Sequence, residues 1–258
     1  MTKFIRYFLL GVCVIQVFCA IAVFFQWPFA VKLWPFEGTT PLTFIFLSSI
    51  WAAAAASTLW ATATKNYGAL AGIALDYITI LTPVSILCFQ LSANGGNPVF
   101  KWVGIAGVLT VLFGAALLYW SLRFPIDRSL PMPRPVQFSF MIFIVALLIV
   151  SVRLILKVPN VIPWKITPEL SVVIGWMFIG AATYFVYGLL RPSWRNAAGQ
   201  LAGFLAYDLV LIIPFIKRLP IAPPEHLVGL IIYIVVLVYS GAIAIYYLFI
   251  HKPTRLLT

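Results

Sequence analysis

Two of the six acidic residues in this 258-residue chain, Asp76 and Asp208, stand inside long apolar runs, and each has a tyrosine beside it. The pairs read Asp76-Tyr77 and Tyr207-Asp208, so their order is exchanged. A carboxylate in hydrocarbon is expensive unless it is protonated, paired or wetted by a cavity, and it therefore marks ion, proton or solute handling. The competing reading is structural, with each carboxyl hydrogen-bonded to a neighbouring helix as polar glue. Gly68 and Gly72 precede the first pair on its run, and Gly199 and Gly203 precede the second. Glycines four apart permit close approach between membrane helices, which predicts that these two runs pack together at the centre of the molecule. Pro83 and Pro214 follow the pairs on the same runs. A proline there frees a carbonyl one turn earlier and bends the helix, as a hinge or as a packing kink.

Other chemistries are poorly supplied. His226 lies in a Pro-rich loop and His251 at the end of the last apolar run, so no run carries an interior histidine for haem iron or a metal cluster. Cys13, Cys19 and Cys88 show no metal-ligand or redox spacing and read as reduced and structural. Neither a P-loop nor a Gly-rich dinucleotide fingerprint is present. An intramembrane aspartyl hydrolase, in which two carboxyls share a proton and activate water, would carry Gly-x-Gly-Asp. Ala74-Leu75-Asp76 and Ala206-Tyr207-Asp208 do not supply it. No catalytic residue, metal or cofactor is assigned. Gln16 and Gln90 read as glue between helices, and Asn66 and Asn196 as N-caps of the runs that bear the aspartates.

The elements that position these residues follow from composition. The chain is 63% hydrophobic and 9% charged, against roughly 25% charged in an ordinary soluble domain. That balance excludes a water-soluble globular protein and predicts an all-α, polytopic membrane bundle. Eight runs reach the ~20 apolar residues that a bilayer crossing needs, at about 4–26, 42–64, 68–91, 102–122, 138–156, 171–190, 197–216 and 228–250. The first is too long for a typical cleaved signal and has no small-x-small site after it, so it reads as an uncleaved span. The aromatic stretch 27–36 is too short to cross and reads as interfacial.

The runs also carry a duplication. Thr40-Pro41 recurs as Thr167-Pro168 at an offset of 127, and Gly114-Ala115 recurs as Gly241-Ala242 at the same offset. Gly68, Gly72 and Pro83 recur as Gly199, Gly203 and Pro214 at an offset of 131. This order predicts two four-helix repeats, residues 1–129 and 130–258. With an even number of spans in each, the repeats are parallel and related by an axis along the membrane normal. In that register Asp76 aligns with Tyr207 and Tyr77 with Asp208. Successive helical residues point about 100° apart, so the two acids face different directions. Two separate sites, or one asymmetric site between the repeats, are expected rather than a symmetric metal clamp.

The net charge of +11 reports topology. Basic residues lie between the runs and no aromatic-basic RNA module accompanies them, which argues against a nucleic-acid partner. Ten of them fall on the side of the amino terminus and seven on the other, which predicts cytoplasmic termini, in a bacterial cytoplasmic membrane. Trp27, Trp34, Trp102 and Trp164 are then expected near the outer interface. Glu37, Asp127, Glu169 and Glu225 are expected in solvated loops. The leading expectation is a small-solute or ion/proton-linked transporter-like protein, with Asp76, Tyr77, Tyr207 and Asp208 between the repeats. Its partners would be the bilayer, a small solute or ion and another membrane protein. An accessory, scaffolding or lipid-interacting subunit is the alternative, and the aspartyl hydrolase stands third.

Overall fold

The computed structural model describes residues 2–36 and 39–255. Its helices are α1 (Thr2–Phe24), α2 (Pro28–Lys32), α3 (Pro41–Ala63), α4 (Leu70–Ala93), α5 (Val99–Ser121), α6 (Arg134–Ile155), α7 (Pro168–Leu190), α8 (Trp194–Arg218) and α9 (Pro224–Ile245). There is no strand among the described residues. All but α2 belong to the eight segments long and apolar enough to cross a membrane. The chain is a multi-pass membrane protein.

Local sequence sets the helix ends. Thr40 and Thr167 are N-caps, accepting from the backbone N–H of Thr43 and Leu170 respectively, each at 3.4 Å. Pro41 and Pro168 then fill the first helical position, where a missing N–H costs nothing. Gln26 (φ 51°), Lys65 (φ 57°) and Lys157 (φ 59°) turn left-handed after α1, α3 and α6. In each case the next N–H returns at 2.9 Å to a carbonyl five residues back, Ala22, Ala61 and Arg153, which closes the last turn.

Two expectations about ends are corrected. Asn66 precedes the short 3-10 turn Tyr67–Ala69 but makes no cap hydrogen bond there, and its Nδ2 donates to the Arg195 carbonyl at 2.9 Å. Asn196 lies inside α8, which starts earlier than the apolar pattern suggests, and its Nδ2 bonds back to the Arg191 carbonyl at 3.0 Å. Glu169 and Glu225 sit in the first turns of α7 and α9, where the helix dipole favours an anion, rather than in loops. Glu37 lies outside the described residues.

Four helices make the centre. α3 packs along α8 and α4 along α7, while α3 and α4, like α7 and α8, touch only slightly. The other four flank them: α1 lies on α3, α5 on α4, α6 on α7 and α9 on α8. At the end where α3 and α7 begin, Phe46, Trp164, Phe178 and Phe215 plug the centre. Trp164, expected as an interfacial anchor, is buried there, and its indole N–H donates to Thr43 Oγ1 at 2.9 Å. Trp102 is exposed on α5.

On the amino-terminal side, Asp127 ties the loop before α6 to the start of α8. Its Oδ1 accepts the Ser129 N–H at 2.8 Å, its Oδ2 lies 2.8 Å from Arg195 Nε, and its carbonyl accepts Ser193 Oγ at 2.6 Å. The hydrogen bonds from Ser129 chiefly, with Arg195 assisting, hold this carboxyl below its ordinary pKa. A lowered value means that the tie is intact above the unperturbed carboxylate pKa of ~3.9 and fades as pH falls through the depressed value. The Ser129 amide resonance is expected to titrate only below that range, and to lose this titration in Asp127→Asn.

Candidate functional site

The two Gly-x-x-x-Gly pairs do not bring α4 and α8 together along their lengths. Each packs instead on the central helix of the other half. A Cβ at Gly72 would lie 2.7–2.8 Å from the rings of Tyr184 and Tyr187 on α7. Tyr187 also donates to the Gly68 carbonyl at 2.9 Å. On the other side, a Cβ at Gly203 would meet Ser57 and the Ala53 carbonyl of α3, and one at Gly199 would lie 3.2 Å from Trp60. Ser57 Oγ in turn donates to the Gly199 carbonyl at 3.0 Å. Small residues let the helices approach, as expected, but the partner differs because α4 and α8 sit diagonally across the centre.

Asp76 projects into the α4–α7 seam. Its carboxyl rests on the bare backbone of Gly180, where a Cβ would collide with Asp76 Oδ1 and with Ile80. The residue is half-buried, and Oδ1 is fully buried without a hydrogen-bond partner. No ion pair among the described residues reaches it; those present join Lys157 to Glu169 and Arg195 to Asp127.

Polar groups of four helices gather at the hydroxyls of Tyr77 and Tyr184. Tyr77, one residue on, points away from the seam, with its Cβ near Gly114 of α5 and its hydroxyl accepting a hydrogen bond from Gln16 Nε2 of α1. Thr58 of α3 stands beside the Tyr77 hydroxyl, and Ser57 beside that of Tyr184. Gln16 Oε1 is, like Asp76 Oδ1, a buried acceptor without a partner among the described residues. An orphan oxygen in an apolar bundle is costly unless a donor or a cation completes it.

Asp208 has different surroundings. It is only 4% exposed, and its Oδ2 accepts the Ser240 hydroxyl of α9 at 2.8 Å, beside Gly241, while its Oδ1, like that of Asp76, is buried without a partner among the described residues. Tyr207 faces α3 through Phe46 and shares a short hydroxyl–hydroxyl contact with Tyr233 of α9. Asp76 and Asp208 thus lie on different seams, one between α4 and α7 and the other between α8 and α9. No hydrogen bond joins them among the described residues, so the shared-proton geometry of an aspartyl hydrolase is absent there. Ser240→Ala removes the donor that reaches Asp208 among the described residues and is expected to lower stability by about 0.6–1.7 kcal/mol, from the mean to the maximum for hydrogen bonds between membrane helices. Thermal unfolding in detergent measures it.

Pro83 and Pro214 lie inside continuous helices and leave the Thr79 and Val210 carbonyls without their usual amide donors. Gln90 is exposed on α4. Sequence reasoning missed Gly180, Ser57, Thr58 and Tyr184. One signal was present: Ser57 and Tyr184 stand 127 residues apart, the offset of the Thr-Pro pairs. Trp60 and Tyr187 share that offset too. Among known proteins, no family model, no curated protein and no solved structure matches this chain. Its reading therefore rests on geometry.

Proposed function

We propose that this protein is a carrier for a small monovalent cation or proton, with Asp76 as its binding carboxyl in the seam between two parallel four-helix repeats. The observation that carries this reading is the Asp76 carboxyl: half-buried on the backbone of Gly180, and, unlike Asp208, reached by neither an ion pair nor a hydrogen bond among the described residues. Such a group is completed by a positive charge.

The repeat reading is supported at the level of single contacts. Ser57 meets Gly203 as Tyr184 meets Gly72, and Trp60 meets Gly199 as Tyr187 meets Gly68. The helix pairing is likewise preserved on exchanging the halves: α1–α3 with α6–α7, α4–α5 with α8–α9, and α3–α8 with α4–α7. In this frame Asp76 and the ring of Tyr207 meet the other repeat at Gly180 and Phe46, while Asp208 and the Cβ of Tyr77 meet the flanking helix of their own at Gly241 and Gly114; the Tyr207 hydroxyl also reaches Tyr233 of α9. Exchanging Asp and Tyr therefore puts one carboxyl in the inter-repeat seam and makes the other a tether to α9. Charge bias supports placing both termini in the cytoplasm.

Purified protein in liposomes loaded with a pH-sensitive dye tests the proposal. An imposed Na⁺, K⁺ or NH₄⁺ gradient is expected to move protons faster than in empty vesicles, in a manner that requires Asp76. Flux equal to that of empty vesicles with all three ions would refute the cation reading.

A further inference from the structure

The spanning helices sort into two bundles that do not coincide with the sequence repeats. α1, α3, α8 and α9 pack as one row of neighbours, and α5, α4, α7 and α6 as another, so each bundle takes two helices from each repeat. Between the bundles the helices touch only slightly, α3 at α4 and α7 at α8. The glycine seams lie inside the bundles, Gly72 against α7 and Gly199 and Gly203 against α3, where close backbone packing makes each bundle a firm unit. The chain crosses from one bundle to the other at 64–69 and again at 191–193, both on the amino-terminal side. Hydrogen bonds reinforce that end. Asn66 fastens the first crossing to the Arg195 carbonyl of α8 at 2.9 Å, Gln200 of α8 donates to the Tyr184 carbonyl of α7 at 2.8 Å, and the Ser139 and Tyr239 hydroxyls join α6 to α9 at 2.9 Å.

On the opposite side every connection stays within one bundle. The bundles meet there through rings, Phe46 against Phe178 and Phe215 against Trp164, and through the Trp164 bond to Thr43. Two bodies joined covalently at one end and by ring contacts at the other separate at the second. Polar contacts between them fall beside the candidate site: Tyr77, next to Asp76, bonds Gln16 of α1, and Tyr184, one turn from Gly180, has its hydroxyl beside Ser57 of α3. Asp76 and Gly180 belong to the same bundle, so their contact travels intact and only the cover from the other bundle changes. We infer that the carrier works by rocking the α1, α3, α8 and α9 bundle against the α4 to α7 bundle, pivoting at 64–69 and 191–193 and uncovering Asp76 on the side away from the amino terminus. This rests on the carrier reading above and goes beyond it, because it makes the moving unit a bundle of mixed origin and not a repeat.

Spin-label distances in lipid nanodiscs test this on the full chain, with Cys13, Cys19 and Cys88 replaced by alanine. Phe25→Cys, Lys101→Cys, Leu156→Cys and Lys217→Cys place labels at exposed positions near the ends of α1, α5, α6 and α8 on the side that opens. Phe25 with Lys101, and Leu156 with Lys217, pair the two bundles within one repeat. Lys101 with Leu156, and Phe25 with Lys217, pair the two repeats within one bundle. A rotation on the order of 10° moves the far ends of helices about 35 Å long by about 6 Å. On replacing choline by Na⁺, K⁺ or NH₄⁺, the first two distances are expected to shift by that much and the second two to stay fixed. Phe4→Cys with Leu122→Cys, exposed positions on α1 and after α5 at the pivot end, should shift far less. Shifts in the second two distances instead would show that the repeats move and would overturn the proposal, as would single, unchanged distances in all four pairs. Two populations in each pair between bundles, indifferent to every ion, would uphold the rocking and count against the cation reading alone.

Discussion

Asp76→Asn is expected to reduce cation-driven proton flux in liposomes at least tenfold, to the level of empty vesicles, while Asp208→Asn retains most of it. The two substitutions are chemically identical and nearly isosteric, so the contrast isolates surroundings. At position 76 no donor among the described residues reaches the carboxyl, and Gly180 offers only bare backbone. Removing the charge there removes the one anion that can attract a cation into the seam. At position 208 an amide oxygen can still accept the Ser240 hydroxyl, so the tether to α9 survives. Equal loss in the two variants would mean that both carboxyls share one task, which their separate seams do not support.

Gly72→Ala should be a damaging single-methyl addition at the α4–α7 contact. In an exposed helix, replacing glycine by alanine stabilises by up to about 1 kcal/mol. Gly11 on α1 has nothing within 4 Å of the added Cβ and is expected to behave that way. At Gly72 the methyl would meet three ring atoms of Tyr184 and Tyr187 at 2.7–2.8 Å. Those rings cannot easily withdraw, because Tyr187 is held by the Gly68 carbonyl and the backbone of Tyr184 by Gln200 Nε2 at 2.8 Å. Overpacking of this kind typically costs 1–3 kcal/mol and outweighs the propensity gain. Thermal unfolding in detergent should show Gly11→Ala at or above wild type and Gly72→Ala below it. The reverse order would show that α4 and α7 are not in close contact.

The spans were legible because eight apolar runs of bilayer length are a one-dimensional signal that needs no knowledge of neighbours. Thr40-Pro41 and Thr167-Pro168 were legible for the same reason, since an N-cap followed by proline acts within one turn. What the glycine pairs face was not legible. Gly-x-x-x-Gly states that something comes close but carries no information about which helix does; the two pairs suggest α4 against α8, whereas Gly72 meets α7. Trp164 shows the same limit: its position near a span end predicts an interfacial ring, and only tertiary packing against Phe46 and Phe215 takes it inside. The aspartates stood out as charges in apolar runs, and the 100° step between positions 76 and 77 already implied unequal directions. Which of the two would lack a partner depended on Ser240 and Gly180, distant in sequence and on different helices.

The state of the Asp76 carboxyl in lipid bears most directly on whether it is a ligand site or buried glue. Infrared difference spectra between wild type and Asp76→Asn, with ¹³C-labelled aspartate, isolate its band. If Asp76 is a wetted, cation-binding carboxyl, this band should shift within minutes of exchange into D₂O and change again on addition of Na⁺, K⁺ or NH₄⁺, while the Asp208 band responds to neither. A band at Asp76 that is indifferent to D₂O and to all three ions would contradict that assignment and leave this aspartate a structural residue.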